Sequence, residues 1–398
     1  MRKLRAGRAP GKPAVPSWLG WTLFVAAALV VPQLWFVSDP WVLMLFFVGL
    51  YVVLGLGLNV VVGFAGLLDL GYVAFFATGA YTLAILTSPA SPVQAEMNFW
   101  VVLPIGVILA MVVGVLLGLP VLPLRGDYLA IVTLGFGEII RIFLVNRADL
   151  TKGSQGISAI ALPTLPGFDI PGIDLGWPSA IDSFDSWYYF VLVLAVLVAF
   201  ITTRLRDSRI GRAWEAIRED EDVAAAMGID TTKYKLMAFA TGAAIGGLGG
   251  VLYASHVGFI NPAAFSLQVS IDVLAIVVIG GMGSIRGVIA GSFVLIGIPR
   301  ILLFNETADF LAKFEWLRDG INVVLDAIDA VLPVSIGELP PANQWGAELG
   351  DDTRFIIFGA LLVAIIVLRP SGLFPSRRRE LEFEHPPEAE RLPVEAVA

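Results

Sequence analysis

The sequence predicts an all-α integral membrane protein with about ten transmembrane helices, and three observations carry that expectation. Of its 398 residues, 57% are hydrophobic and only 15% are charged, whereas soluble domains run at roughly 45–50% and about 25%. Apolar stretches of about 20 residues, the length needed to cross a hydrocarbon core about 30 Å thick, recur along the chain. The alternating segments of about 10 residues that mark a membrane β-barrel do not. Finally, Lys and Arg gather in a few segments separated by even numbers of apolar stretches, as the preference of basic loops for the cytoplasm requires.

Taken in order, the expected spans are 19–37, 41–62, 67–87, 99–122, 128–146, 186–204, 234–256, 265–283, 285–304 and 354–369. A basic arm at 1–18, containing Arg2, Lys3, Arg5, Arg8 and Lys12, precedes the first. That first run is about 19 residues, longer than a signal-peptide core of about 7–15, and is expected to stay as a span. Five crossings lead to an external loop at 147–185, rich in Gly, Pro and Asp, and the sixth returns to a basic segment at 205–233. Four more end at Arg377, Arg378 and Arg379, so both termini fall on the inner side of the cell membrane. Arg125 and Arg286 land on the same side.

The membrane-embedded body therefore occupies 19–375 and an acidic, Pro-rich tail expected to be disordered occupies 376–398. A second external segment, 305–353, holds ten acidic residues against Lys313 and Arg318. Within it Phe310, Phe314, Leu317, Ile321, Val324, Ile328 and Val331 form one stripe of a helix over 307–332. Such a helix either lies on the outer membrane surface or docks an external partner. The chain has no cysteine, which excludes disulfides, thiolate metal sites and cysteine nucleophiles.

Residues 205–233 carry the most information. Ile210, Trp214, Ile217, Ala224 and Met227 draw an interrupted apolar face on an otherwise charged stretch that includes Glu215. Gly228 stands where a helix C-cap is expected, and Asp230 or Thr231 where the next helix starts. The pattern predicts a short helix at the cytoplasmic face, exposed enough to be gripped by another protein. Asp222-Val223-Ala224 followed by Gly228 is similar to the Glu-Ala-Ala…Gly loop of ABC importer permeases, with Asp for Glu and Val for the first Ala.

Further motifs make the resemblance narrower. Gly57-Leu58-Asn59, Gly63-Phe64-Ala65-Gly66-Leu67-Leu68-Asp69-Leu70-Gly71, Gly79-Ala80-Tyr81 and Arg125-Gly126-Asp127-Tyr128 occur in the expected order. So do Thr133-Leu134-Gly135-Phe136-Gly137-Glu138, Gly280-Gly281-Met282-Gly283-Ser284 and Arg369-Pro370-Ser371-Gly372-Leu373. Together they resemble the branched-chain amino acid ABC transporter permease family, M-type subunit, over residues 50–375. The resemblance implies the ABC importer permease fold and a second related permease. It also implies two cytoplasmic ATPases, an external substrate-binding protein, and Leu, Ile or Val as cargo. It implies no cofactor, and it makes Trp214, Glu215, Asp222, Ala224 and Gly228 the ATPase-coupling loop. Related permeases carry urea, amides or other amino acids, so the cargo stays open. No Gly-x-x-x-x-Gly-Lys-Ser/Thr phosphate loop occurs, so nucleotide energy has to enter through a partner.

Polar residues inside spans are costly, about 2.5–3.5 kcal/mol each at mid-membrane, and so mark candidate pathway positions. Asn59, Gly66, Asp69, Tyr81, Glu138 and Asp272 are these candidates. Four of them have a plainer role available: Glu138 neutralising Arg141, Asp272 beside Gln268 and Ser270, Asn59 as a buried hydrogen-bonding group, Asp69 reaching water at the inner interface. Most glycines are expected at close helix contacts and a few at breaks along a substrate route. His256 and His385 are too few and too distant in sequence for a metal site. An ion-coupled carrier is the rival from another class, and it needs a mid-membrane ionisable cluster that the sequence does not supply. An enzyme is disfavoured by the lack of a Gly-x-Ser-x-Gly elbow, a His-Glu-x-x-His pair or a carboxylate dyad. Nucleic acid is not an expected partner; membrane lipid is.

Overall fold

The computed structural model describes residues 39–121, 126–164 and 184–299, with a few isolated positions outside them. The spans expected at 19–37 and 354–369, the basic arm, the stripe at 307–332 and the acidic tail lie outside the described residues, apart from a few isolated positions. Helix α1, Asp39–Leu58, continues without a break into a π-helical turn, Asn59–Phe64. Then come α2, Val73–Thr87, α3, Phe99–Val121, and α4, Asp127–Asn146. One short turn of helix, α5, Ala148–Thr151, opens the external segment. The chain goes on through α6, Phe184–Arg206, two short helices α7, Arg209–Glu219, and α8, Glu221–Ala226, then α9, Thr231–Val257. It continues in α10, Leu267–Gly280, and α11, Ile285–Ser292, which again ends in a π-turn, Phe293–Gly297.

Six of these helices are long and apolar enough to cross a membrane, and Val73–Thr87 and Ile285–Gly297 are shorter apolar helices. Their burial differs in a way that orders the bundle. The span Trp41–Phe64 is 78% buried, whereas Tyr128–Asn146 is 28% buried. Helices α1 and α9 therefore form the centre, with α3, α4 and α6 turning apolar side chains such as Leu116, Ile131 and Val193 outward. With lipid as the solvent such faces need no polar cover.

Glycine sets how closely the central helices approach. A β-carbon on Gly79 would fall on the Gly247 carbonyl oxygen, and one on Gly250 would fall on that of Phe76, so α2 and α9 touch backbone to backbone. Between membrane helices, where burial from water supplies no attraction, this close dispersion contact is what holds the pair.

The span expected at 67–87 is half irregular. Residues 65–72 are non-helical and α2 starts only at Val73. Its first N–H donates to Ser270 Oγ at 3.0 Å, and Leu70 N–H donates to Thr133 Oγ1 at 3.0 Å. Thr133 lies in the interior of α4 and Ser270 in the first turn of α10, and Asp69 between them is fully buried, so the irregular segment runs among helices. Non-helical backbone at such depth is tolerated only where protein or a water-lined cavity surrounds it.

The two ends of the bundle are tied differently. At one, Ile157–Ser158 and Phe259–Ile260 pair as an antiparallel two-stranded ribbon. Ser88 Oγ–H donates to the Ser158 carbonyl at 2.5 Å and Ser255 Oγ–H to that of Ala161 at 2.6 Å. This ribbon is the exception to the all-helical expectation, and two residues per strand are too few to show alternation in a sequence. Beside it Arg147 donates twice to Asp149, at 2.9 and 2.8 Å, which holds that carboxyl below its ordinary value. At the opposite end lie the C-terminus of α6, the helices α7 and α8, and the turn between α10 and α11.

Candidate functional site

Helices α7 and α8 form the segment predicted to be a short amphipathic helix, and they divide it at Asp220. Ser208 opens α7, its Oγ accepting from Ile210 and Gly211 N–H, and Asp220 opens α8, its Oδ1 accepting from Asp222 and Val223 N–H at 2.9 Å. Side-chain acceptors there satisfy amides that a helix start leaves without partners. Gly228 ends α8 at φ +85°, with Gly228 and Ile229 N–H bonded to the Ala225 and Ala224 carbonyls, and Asp230 caps α9 through Lys233 N–H at 3.0 Å.

The break at Asp220 changes which residues face the body. Trp214 is fully buried, and its Nε1–H donates to the Tyr234 carbonyl at 2.7 Å. Ile217 and Ala224 are buried too. Met227 is not on this face: it is 79% exposed, and Val223 is 58% exposed, because the second helix starts on a new axis. Glu215, Asp222 and Gly228 are also exposed. The nearly buried Lys235 ammonium bonds Glu221 at 2.5 Å and fastens α8 to α9.

Arg218, legible in the sequence only as one of the basic residues of this segment, links it to the bundle. Its Nη1–H donates to the Gly63 carbonyl, 155 positions away, at 2.5 Å. Its aliphatic stem lies against Gly66, which adopts φ +71° and has no room for a β-carbon. Asn59 stands one turn back in the π-helix and accepts the Gly283 N–H on Oδ1 at 2.8 Å. Asn59 Nδ2 is buried without a partner among the described residues. Asn59, Gly66 and the Gly283 turn thus come together, and Arg218 reaches the same place.

The remaining candidates are spread apart. Asp69 does not reach water, as expected of it, but is fully buried in the irregular stretch, its Oδ1 accepting Gly71 N–H at 2.9 Å. Close packing of Gly71 on the Thr133 backbone covers it. Tyr81 is buried against Phe265, ring centroids 5.6 Å apart, with its hydroxyl unpartnered among the described residues. Asp272 accepts from Gln268 at 2.8 Å on α10. Glu138 and Arg141 bind one another bidentately on α4, partly exposed, beside outward-facing Ile131, Ile139 and Ile142. His256 stacks on Phe46 at 3.8 Å within an aromatic cluster, a packing role. Among the described residues no group of three or more His, Cys, Asp or Glu side chains is arranged to hold a metal.

A bundle of apolar spans with a broken helix at its centre, and two short polar helices clamped to one end, belongs to a multi-pass membrane transport protein. Comparison with known proteins narrows the class. The profile of the family described as "Branched-chain amino acid transport system / permease component" matches residues 42–312. The "High-affinity branched-chain amino acid transport system permease protein LivM" of Escherichia coli (strain K12) is 38% identical over 377 residues, 91% of this chain and 77% of that protein. A "Probable branched-chain amino acid transport permease protein LivM" of Methanocaldococcus jannaschii is 26% identical over 364 residues, 84% of this chain and 93% of that protein. LivH of Escherichia coli (strain K12), also named as a permease protein of this system, is 28% identical over 258 residues, 63% and 81% of the two chains. No solved structure matches. The chain belongs to the branched-chain amino acid transport permease family. It is a multi-pass membrane permease and not an enzyme.

Proposed function

We propose that this chain is one of two related permeases forming the path of an ATP-driven importer for leucine, isoleucine and valine, with about ten crossings in all. Two cytoplasmic ATPases drive it and an external substrate-binding protein delivers the cargo. Similarity to both LivM and LivH supports a pair of unlike permeases. The observation that carries the reading is the segment α7–α8. Trp214 and Lys235 hold it to the body, while Val223, Met227 and Asp222 face outward as an apolar patch edged with charge. An exposed apolar patch at the polar end of a membrane protein fits a protein partner.

In this reading the end bearing α7 and α8 is cytoplasmic, and the ribbon end is external. Glu138 and Arg141 face the space between the two permeases, since a partly exposed ion pair fits a watered cavity better than lipid. Asn59, Gly66 and Asp69 belong to the broken stretch that borders the path, with Tyr81 and Asp272 further toward the external end. Selectivity rests mainly on the external protein, because one methylene distinguishes ligands by only about 1–3 kcal/mol.

The test is co-purification. Val223→Asp with Met227→Asp is expected to abolish recovery of the ATPases with the permease pair, and with it ATP-dependent leucine uptake, while leaving the chain in the membrane. Full ATPase recovery from that variant overturns the docking assignment. Leucine uptake by the chain alone in liposomes under an ion gradient overturns the importer reading altogether.

A further inference from the structure

The contact between α7 and the π-turn has a mechanical consequence. Helix α7 is bounded on both sides by extended residues, Ser208 at ψ 177° and Asp220 at ψ 111°, so it is a rigid rod between two hinges. Hinged rods of this kind absorb large motion at a few terminal residues. Near its middle the rod is pinned to α9 by the Trp214–Tyr234 bond. Toward its end Arg218 lays its stem over Gly66 and grips the Gly63 carbonyl.

What Arg218 grips is the π-turn at the end of the most buried of the described spans. The backbone ladder of α1 widens there to π geometry, with Ala65 N–H bonding the Val60 carbonyl at 3.2 Å and Leu67 N–H that of Val61 at 3.0 Å. Insertions of this type relax the helical register and recur at functional positions. Gly66, at positive φ, follows directly, and then the irregular stretch that contains buried Asp69. On the other side the Gly283 turn closes the joint: it too has positive φ, its N–H is bound to Asn59, and a β-carbon there would lie 3.5 Å from Arg218 Nη1.

We propose that Arg218 is the positioning residue that carries displacement of α7 into the membrane, by moving the Gly63–Gly66 joint and the Gly283 turn together. The proposal rests on the docking role of α7–α8 and names the atom through which that role acts on the path. Lysine keeps the charge and an aliphatic stem over Gly66 but loses the planar fork that grips the Gly63 carbonyl, so it substitutes only in part.

The experiment uses the full complex, both permeases with ATPases and binding protein, in proteoliposomes, and reads leucine moved per ATP hydrolysed. With Arg218→Ala the ATPases are expected to remain bound and hydrolyse ATP, while leucine per ATP falls about tenfold, within the usual range of coupling between sites. Arg218→Lys is expected to fall between. An unchanged ratio in assembled Arg218→Ala overturns the proposal. So does loss of ATPase binding in that variant, which makes Arg218 part of the docking surface.

A second measurement leaves Arg218 intact. The chain has no cysteine, so Met282→Cys gives a single thiol beside the joint. Its rate of modification by a water-soluble thiol reagent is expected to differ severalfold between nucleotide-free and ATP-bound complexes. An equal rate overturns the proposal even where Arg218→Ala does not fold. Retained ATPase binding in the Val223→Asp, Met227→Asp control instead signals failure of the docking assignment beneath it.

Discussion

Asp69 lies fully buried with one carboxylate oxygen on the Gly71 N–H and the other unpartnered among the described residues. The first oxygen closes the turn that lets the chain pass from Gly66 into α2. Asp69→Asn keeps an acceptor in the same place and sheds the charge, so it is expected to fold as well as the natural chain. Asp69→Leu strands the Gly71 amide, which costs about 1–3 kcal/mol, more than most surface substitutions. Thermal unfolding of the detergent-purified protein checks the pair: a clear drop is expected for Leu alone, and equal behaviour of the two variants refutes the turn-closing role. Legibility at this scale depended on whether a residue acts locally. Asp220, Gly228 and Asp230 act on their own neighbours, and spacing alone marks the last two as caps. The burial of Asp69 and the reach of Arg218 are not legible in the sequence, because Thr133, which packs over the Asp69 turn at Gly71, and Gly63, which Arg218 binds, come from distant elements.

At the scale of elements, apolar length located the long helices to within a few residues, since each must cross the same thickness of hydrocarbon. It failed where a crossing is shared with irregular backbone: the expected 67–87 is a loop followed by Val73–Thr87. Composition cannot separate those two states when both are apolar. Nor does a period of 3.6 residues reveal a π-turn. Helix α4 raises a question that periodicity leaves open, namely what its outward face meets. It presents Tyr128, Ile131, Ile139 and Ile142, with the Glu138–Arg141 pair among them. If that face met lipid, replacing both charges by leucine would be neutral or favourable, because the ions would no longer need desolvation. The pathway reading predicts the reverse outcome for function. Glu138→Leu with Arg141→Leu is expected to insert and assemble, yet lose leucine uptake by an order of magnitude or more. Uptake within about twofold of the natural chain puts the face against lipid.

For the whole molecule, the sequence predicted sidedness from charge, and the described contacts allow an independent check of its internal consistency. Among the described residues, element ends expected inside meet one another: Arg218 with Gly63, Asn59 with Gly283, Trp214 with Tyr234. Ends expected outside meet likewise, Ser88 with Ser158 and Ile157 with Ile260. An odd number of missing crossings between 39 and 299 would have brought a basic loop beside the ribbon. Which end faces the cytoplasm is a separate matter, decided by the pull of basic residues such as Arg204, Arg206, Arg209 and Arg212. Single thiols can settle it, again because the natural chain has none. Ser154, exposed next to the ribbon, and Lys233, exposed at the first turn of α9, lie at opposite ends of the bundle. In intact cells a membrane-impermeant maleimide is expected to modify Ser154→Cys and to spare Lys233→Cys until the membrane is opened. Lys233→Cys keeps the backbone amide that Asp230 accepts, so the cap survives the change. Labelling of Lys233→Cys from outside, with Ser154→Cys protected, would invert the protein and place α7 and α8 beyond the reach of any ATPase.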